Sequence, residues 1–249
     1  TYQAFSRPNL GQFQADVGAI VGLAFPAVLT QLATPIGSAY VTRTMAEFGE
    51  PAVAGMAMIG RLTPVAFAVI FALSGAIGPI VGQNAGAKQY DRVRTSMRDG
   101  IIFTAIYVAV VSVILFVIRV PLADLFGAQG TARELIFLFC GPLALVFFFN
   151  GLMFVGNAAF NNLGHPFFST VVNWGKNTVG TIPFVIYGAK TYGAPGVLMG
   201  QAFGSIAFGL ISIVLARWVV AREANRPETT SRPHFSHRAR LHSLFHHRH

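Results

Sequence analysis

Acidic side chains and cysteine are what this sequence has least of. Of 249 residues only nine are Asp or Glu and one is Cys, and charged residues reach only 11%. A soluble domain carries roughly 25% charged residues. So little charge cannot coat an ordinary water-facing surface, which excludes a soluble enzyme and a disordered protein. The lone Cys140 lies within an apolar run and excludes an internal disulfide or a Cys-pair zinc site. Its environment suits a small buried apolar residue. Catalytic signatures are missing too: no Gly-x-Ser-x-Gly elbow, no phosphate loop ending in Gly-Lys-Ser/Thr and no His-Glu-x-x-His. No enzyme and no metal site is expected. The secretory pattern of basic start, short apolar core and small-residue cleavage site is also absent, and the chain opens at Thr1. The expectation is a fragment or a processed chain.

What the sequence does have is apolar surface. Hydrophobic residues make up 53%, and the mean hydropathy is +0.57. A bilayer is the solvent that suits such a chain. Charge-free stretches run over 17–42, 62–87, 100–118, 135–175 and 191–216. The fourth is too long for one helix, and Gly164-His165-Pro166 divides it. About 20 residues at 1.5 Å each cross the hydrocarbon core. The reading is an all-α integral membrane protein with six transmembrane helices near 16–43, 52–82, 94–119, 131–160, 166–189 and 194–222. An N-terminal cytoplasmic segment covers 1–15, and a basic, His-rich tail covers 223–249. Helices are required because lipid cannot satisfy free backbone groups.

Six passes put both termini on one side. That side collects twelve of the 18 Lys and Arg residues, and the other side holds Arg43, Arg119, Arg133 and Lys190. The positive-inside rule therefore predicts cytoplasmic termini in the plasma (inner) membrane. The net charge of +9 is spent on these loops and the tail, which argues against nucleic acid as a partner. The tail carries six histidines in no fixed frame, so it reads as a disordered basic segment near anionic lipid.

A helix facing only lipid needs no polar stripe, yet five of the six carry polar residues that bear on the interior. Gln31, Thr34, Ser38 and Thr42 share a face of the first helix. Asn150, Asn157 and Asn161 do so on the fourth, and Ser169, Asn173, Lys176 and Asn177 on the fifth. Gln201, Ser205 and Ser212 align on the sixth, and Arg61 marks the second. Two readings compete: hydrogen bonds between helices, or a hydrated cavity that holds a ligand. The cavity candidates are Gln31, Asn150, Asn157, Asn173, Lys176 and Asn177, with Arg61 and Gln201 as secondary candidates. Lys176 stands out, because a charge at mid-membrane costs at least ~2.5–3.5 kcal/mol and so faces protein or water. Small pairs such as Gly200/Gly204 suit close helix packing. Every acidic residue lies near a span end or outside the spans, so no carboxylate is available at mid-membrane to carry a proton or sodium ion.

Several segments resemble one family. They are Phe25-Pro26-Ala27-Val28-Leu29, Thr34-Pro35-Ile36-Gly37, and Phe48-Gly49-Glu50-Pro51-Ala52-Val53-Ala54-Gly55. To these add Gly82-Gln83-Asn84-Ala85-Gly86-Ala87-Lys88 and Asn161-Asn162-Leu163-Gly164-His165-Pro166. The chain resembles the multidrug and toxic compound extrusion (MATE) family over about residues 10–222. That resemblance implies one six-helix lobe, here the C-terminal one, of a two-lobe transporter. It also implies export of cationic or amphipathic small molecules in exchange for protons or sodium by alternating access. The partners implied are the missing N-terminal lobe or, alternatively, a second copy in a homodimer. Gln31 and Asn150 stand where some members carry acidic residues, so the coupling site is located on no residue of this chain, and no cofactor is expected. A lipid-linked sugar flippase of related fold and a non-transporting membrane scaffold fragment stay open as alternatives.

Overall fold

In the computed structural model, residues 10–226 are described. Among them every regular element is helical, as the composition requires. The elements are α1 (Leu10–Ala46), α2 (Glu50–Ala66), α3 (Ala68–Gly86), α4 (Tyr90–Leu125), α5 (Gly130–Leu138), a π-helical turn (Phe139–Leu143), α6 (Ala144–Asn162), α7 (Pro166–Asn177) and α8 (Ile182–Ala224). The stretches 68–86, 90–125, 130–162 and 166–224 are long and apolar enough to cross a membrane by length and composition. The histidines of the tail from 234 onward lie outside the described residues, as does most of the N-terminal segment.

Proline and glycine decide where the helices break. The region 52–82 read as one helix is α2 and α3, which meet at Phe67. Pro64 lies just before the joint, where it removes a backbone donor and crowds the preceding turn. A carbonyl left exposed there is capped from α4, since the Tyr107 hydroxyl donates to the Ala66 oxygen at 3.0 Å. The region 131–160 is bent at the π turn, where Pro142 again removes a donor and Gly141 leaves helical geometry.

The stretch 166–224 holds two breaks. Pro183 keeps α7 from running on, so residues 178–181 form an irregular link. At Gly193, φ is 66° and ψ is −144°, a backbone region that suits glycine. There α8 folds back on itself, so it is two arms, 182–192 and 194–224. Glycines build the seam between the arms. Gly188 meets the Gly196 backbone, Gly200 meets Phe184, and Gly204 meets Gly180 and Thr181. These pairs follow one antiparallel register. The atoms nearest Gly188, Gly196 and Gly200 are all backbone, so the arms touch without side chains between them.

Two buried clusters hold the bundle together. One gathers Val41, Phe67, Ile70, Leu135, Ile136, Cys140 and Val197 at the end of the π turn. The other gathers Ile77, Val93, Val155, Phe160, Val172 and Val219 at the opposite end. Phe67 stacks on Phe147 with centroids 4.0 Å apart, which locks the α2–α3 joint onto α6. Long apolar side chains such as Ile106, Val113, Val117 and Val214 point outward from α4 and α8. On a water-soluble protein they would be a liability; facing acyl chains they cost nothing.

Candidate functional site

The polar residues of α6 and α7 are brought together as two rungs of an antiparallel pair. Asn150 and Asn157 stand seven residues apart on α6, hence on one face about 10 Å apart along the axis. On α7 the positions Ser169, Asn173 and Lys176 recur at helical spacing. In the first rung, the Lys176 ammonium donates to Asn150 Oδ1 at 2.5 Å. In the second, Asn157 Oδ1 accepts from Ser169 Oγ at 2.8 Å and from Asn173 Nδ2 at 3.3 Å. Asn173 also donates to the Ser169 carbonyl at 2.8 Å, so its amide is anchored on its own helix.

The first rung borders a pocket. It measures about 220 Å³ and lies between α2, the π turn, α6, α7 and α8. Its polar lining is Thr63, Asn150, Lys176, Gln201 and Ser205; Phe139, Leu143 and Phe147 form apolar walls. The link after α7 secures the lysine, since Thr181 Oγ1 donates to the Lys176 carbonyl at 2.8 Å. Among the described residues no acidic side chain lines the pocket. The chemistry this arrangement offers is recognition: one cation, one amide it already holds, and a second amide, that of Gln201, opposite.

The remaining candidates lie elsewhere. Asn157 and Asn173 close the second rung and are absent from the pocket wall. Asn177 donates to the Asn173 carbonyl at 2.9 Å and packs against Gly37 of α1. Gln31 is exposed on α1, and Arg61 is exposed on α2 outside the pocket. Sequence reasoning did not single out Thr63, Phe139 or Leu143. Phe139 and Leu143 belong to the π turn, and Pro142 inside an apolar run was the signal that could have pointed there.

α7 is also tied to α1. The Trp174 indole donates to the Leu29 carbonyl at 2.8 Å, and the Thr30 and Thr170 hydroxyls lie 2.7 Å apart. At the far end of the bundle, His165 at the start of α7 meets Glu223 at the end of α8, 3.1 Å apart, and Arg226 reaches the same carboxylate at 3.4 Å.

A family model described as MatE matches residues 26–187. The chain is 36% identical over 205 residues to an uncharacterized 21 kDa protein in the iaaL 5'region of Pseudomonas savastanoi, covering 80% of this chain and 66% of that one. It is 24% identical to a FAD transporter of Shewanella oneidensis, over 84% of this chain and 46% of that protein. It is 26% identical to a probable multidrug resistance protein NorM of Aromatoleum aromaticum, over 86% and 47%. The chain thus spans about half the length of the latter two relatives. Among solved structures, the Vibrio cholerae MATE transporter VcmN in the bent form is similar with a TM-score of 0.78 at 24% identity, over 90% of this chain and 50% of that one. A multidrug resistance MATE family transporter matches in its inward-facing conformation with a TM-score of 0.77 at 19% identity, over 92% and 52%. An outward-facing conformation matches with a TM-score of 0.78 at 17% identity, over 91% and 50%.

Proposed function

Because the chain belongs to the MatE family, the multidrug and toxic compound extrusion transporters, we propose that it acts as one lobe of a small-molecule exporter. The lobe works by alternating access, exchanging cationic or amphipathic substrate for protons or sodium. The observation that carries this reading is the pocket at the Asn150–Lys176 rung. It is a polar cleft inside a bundle whose outer faces are apolar, which is where a membrane transporter keeps its binding groups. The near-equal likeness to inward- and outward-facing folds suits a lobe that moves largely as a rigid body.

In this reading Asn150, Lys176 and Gln201 contact substrate. Asn157, Asn173 and Asn177 hold α7 in position behind them, and Gln31 faces the second lobe or a second copy. The coupling ion is assigned to no residue here, because the acidic residues all lie outside the charge-free apolar runs. The lobe resides in the inner membrane with cytoplasmic termini. Expression of the complete gene in cells stripped of their own efflux pumps tests the reading. Dye export above the empty vector is expected, with loss on Asn150→Ala. Export no better than the vector overturns it, and Asn150→Cys inert to polar thiol reagents removes the cavity assignment.

One observation favours a second substrate class. Lys176 brings a positive charge to a pocket without an acidic neighbour, and such a site repels a bare cation and attracts an anionic group. The FAD transporter among the relatives fits that class. A comparison of ethidium and FAD export separates the classes. FAD export that collapses on Lys176→Gln favours the anion, and ethidium export unchanged by that substitution favours the cation.

A further inference from the structure

We propose that α4 and α8 form a binding site for the phosphate of an anionic phospholipid, at the end of the bundle where α4 begins and α8 finishes. A cavity of about 330 Å³ lies there, lined by Arg94, Met97, Arg98 and Ile101 from α4 and by Arg217 and Val220 from α8. Three guanidiniums thus converge from two helices on a wall of three apolar side chains. This site is separate from the pocket at Lys176 and does not depend on it.

The charge is available to a ligand. Arg94 pairs with Asp91 at 2.8 Å and Arg98 with Asp99 at 3.3 Å, but both pairs are widely exposed, the arginine side chains at 51% and 69%. Exposed pairs of this kind are weak and readily exchanged. Arg217 makes no ion pair among the described residues. A phosphate diester offers two charged oxygens, and planar guanidiniums grip such oxygens in bidentate fashion.

The depth also fits. Arg98 immediately precedes the charge-free run that starts at Gly100, apart from Asp99, and Arg217 immediately follows the run that ends at Ala216. The neighbouring Trp218 is 48% exposed with Arg222 over its ring, an arrangement at home at the headgroup level. From the arginines, a path leads toward the hydrocarbon. Ile102 and Ile106 follow Arg98 on one face of α4, and Val214 and Leu210 precede Arg217 on one face of α8, all exposed. A free phosphate ion would use the arginines alone. A phospholipid also uses these apolar tracks, and that combination selects it.

Native mass spectrometry of the full chain, released from micelles doped with phosphatidylglycerol or phosphatidylcholine of matched acyl chains, tests the site. A basic residue near a membrane surface contributes roughly fivefold to binding of an anionic lipid. The wild type is expected to retain phosphatidylglycerol at least ~10-fold better than phosphatidylcholine. The R94Q/R98Q/R217Q triple variant is expected to lose that preference, while Arg133→Gln at the other end keeps it. Should the triple variant fail to fold, Arg217→Gln alone carries the test, with an expected loss of roughly fivefold. Equal retention of both lipids by the wild type overturns the proposal, as does an unchanged preference in the Arg217 variant. Displacement of the lipid by millimolar inorganic phosphate would mark an aqueous anion site and overturn it as well.

Discussion

Replacing Gly196 with alanine is the sharpest test of how the last two arms of the bundle pack. A methyl group built on Gly196 lands on the backbone of Gly188, with the carbonyl oxygen, carbonyl carbon and Cα all at 3.0 Å or closer. Carbon atoms settle at roughly 3.5–4.0 Å from one another. The obstacle is main chain, so no rotamer change relieves it, and the arms 182–192 and 194–224 must part. Overpacking of this kind costs about 1–3 kcal/mol, and the backbone obstacle argues for the upper end. At about 2–4 °C per kcal/mol for a chain of this size, the melting temperature falls by about 6–12 °C. The assay is built into the protein. Cys140 is the sole cysteine and is fully buried, so a thiol-reactive fluorogenic dye reports unfolding directly. Gly75→Ala is the control, because nothing lies within 4 Å of the methyl it would add. That control should melt at or slightly above the wild type, since alanine stabilises a helix interior by about 0.5–1 kcal/mol over glycine. A Gly196→Ala protein melting within 2 °C of the wild type would refute the close-packed seam.

Three further outcomes are expected. Asn157→Ala deletes the acceptor of two hydrogen bonds, to Ser169 and Asn173. At ~0.6 kcal/mol per membrane hydrogen bond, it should lose about 1 kcal/mol and melt ~2–4 °C lower. Lys176→Met removes the charge and the 2.5 Å bond to Asn150 while keeping much of the stem. Its melting temperature should stay within about 4 °C of the wild type, and fluorescence titration should find its affinity for an anionic ligand such as FAD at least ~10-fold lower, with ethidium affinity no weaker. Glu223→Gln weakens the contact of α8 with His165 and Arg226. Hydrogen exchange at the start of α7 should then quicken by several fold, and unchanged exchange would count against that contact as a clamp.

The fold class was legible because charge-free runs and the demand for satisfied backbone leave one architecture open. Which residues share a helix face was legible too. Asn150 and Asn157, or Ser169 and Asn173, follow directly from the 3.6 period. Which face meets which was not, because periodicity carries no register. It could not say that Lys176 would find Asn150 while Asn157 took Ser169, nor that Gln31 and Arg61 would stand apart from both. Breaks inside apolar runs were hidden for a related reason. In a run without charges, Pro142 and Pro183 compete with the hydrophobic signal, and neighbouring helices decide whether each one bends or ends the helix. The glycine pair Gly200/Gly204 pointed to close packing, but its partners lie some twenty residues away in sequence and only the fold-back at Gly193 brings them near.

The joint between α2 and α3 has a consequence for how this lobe could flex. Its unpaired carbonyl at Ala66 is served by the hydroxyl of Tyr107, and its hinge residue Phe67 is clamped by the ring of Phe147. The elbow's angle is therefore set by α4 and α6 and not by the strand of chain that bends. Any displacement of α4 along its axis would be felt there as a change of bend, passed on through that one hydroxyl.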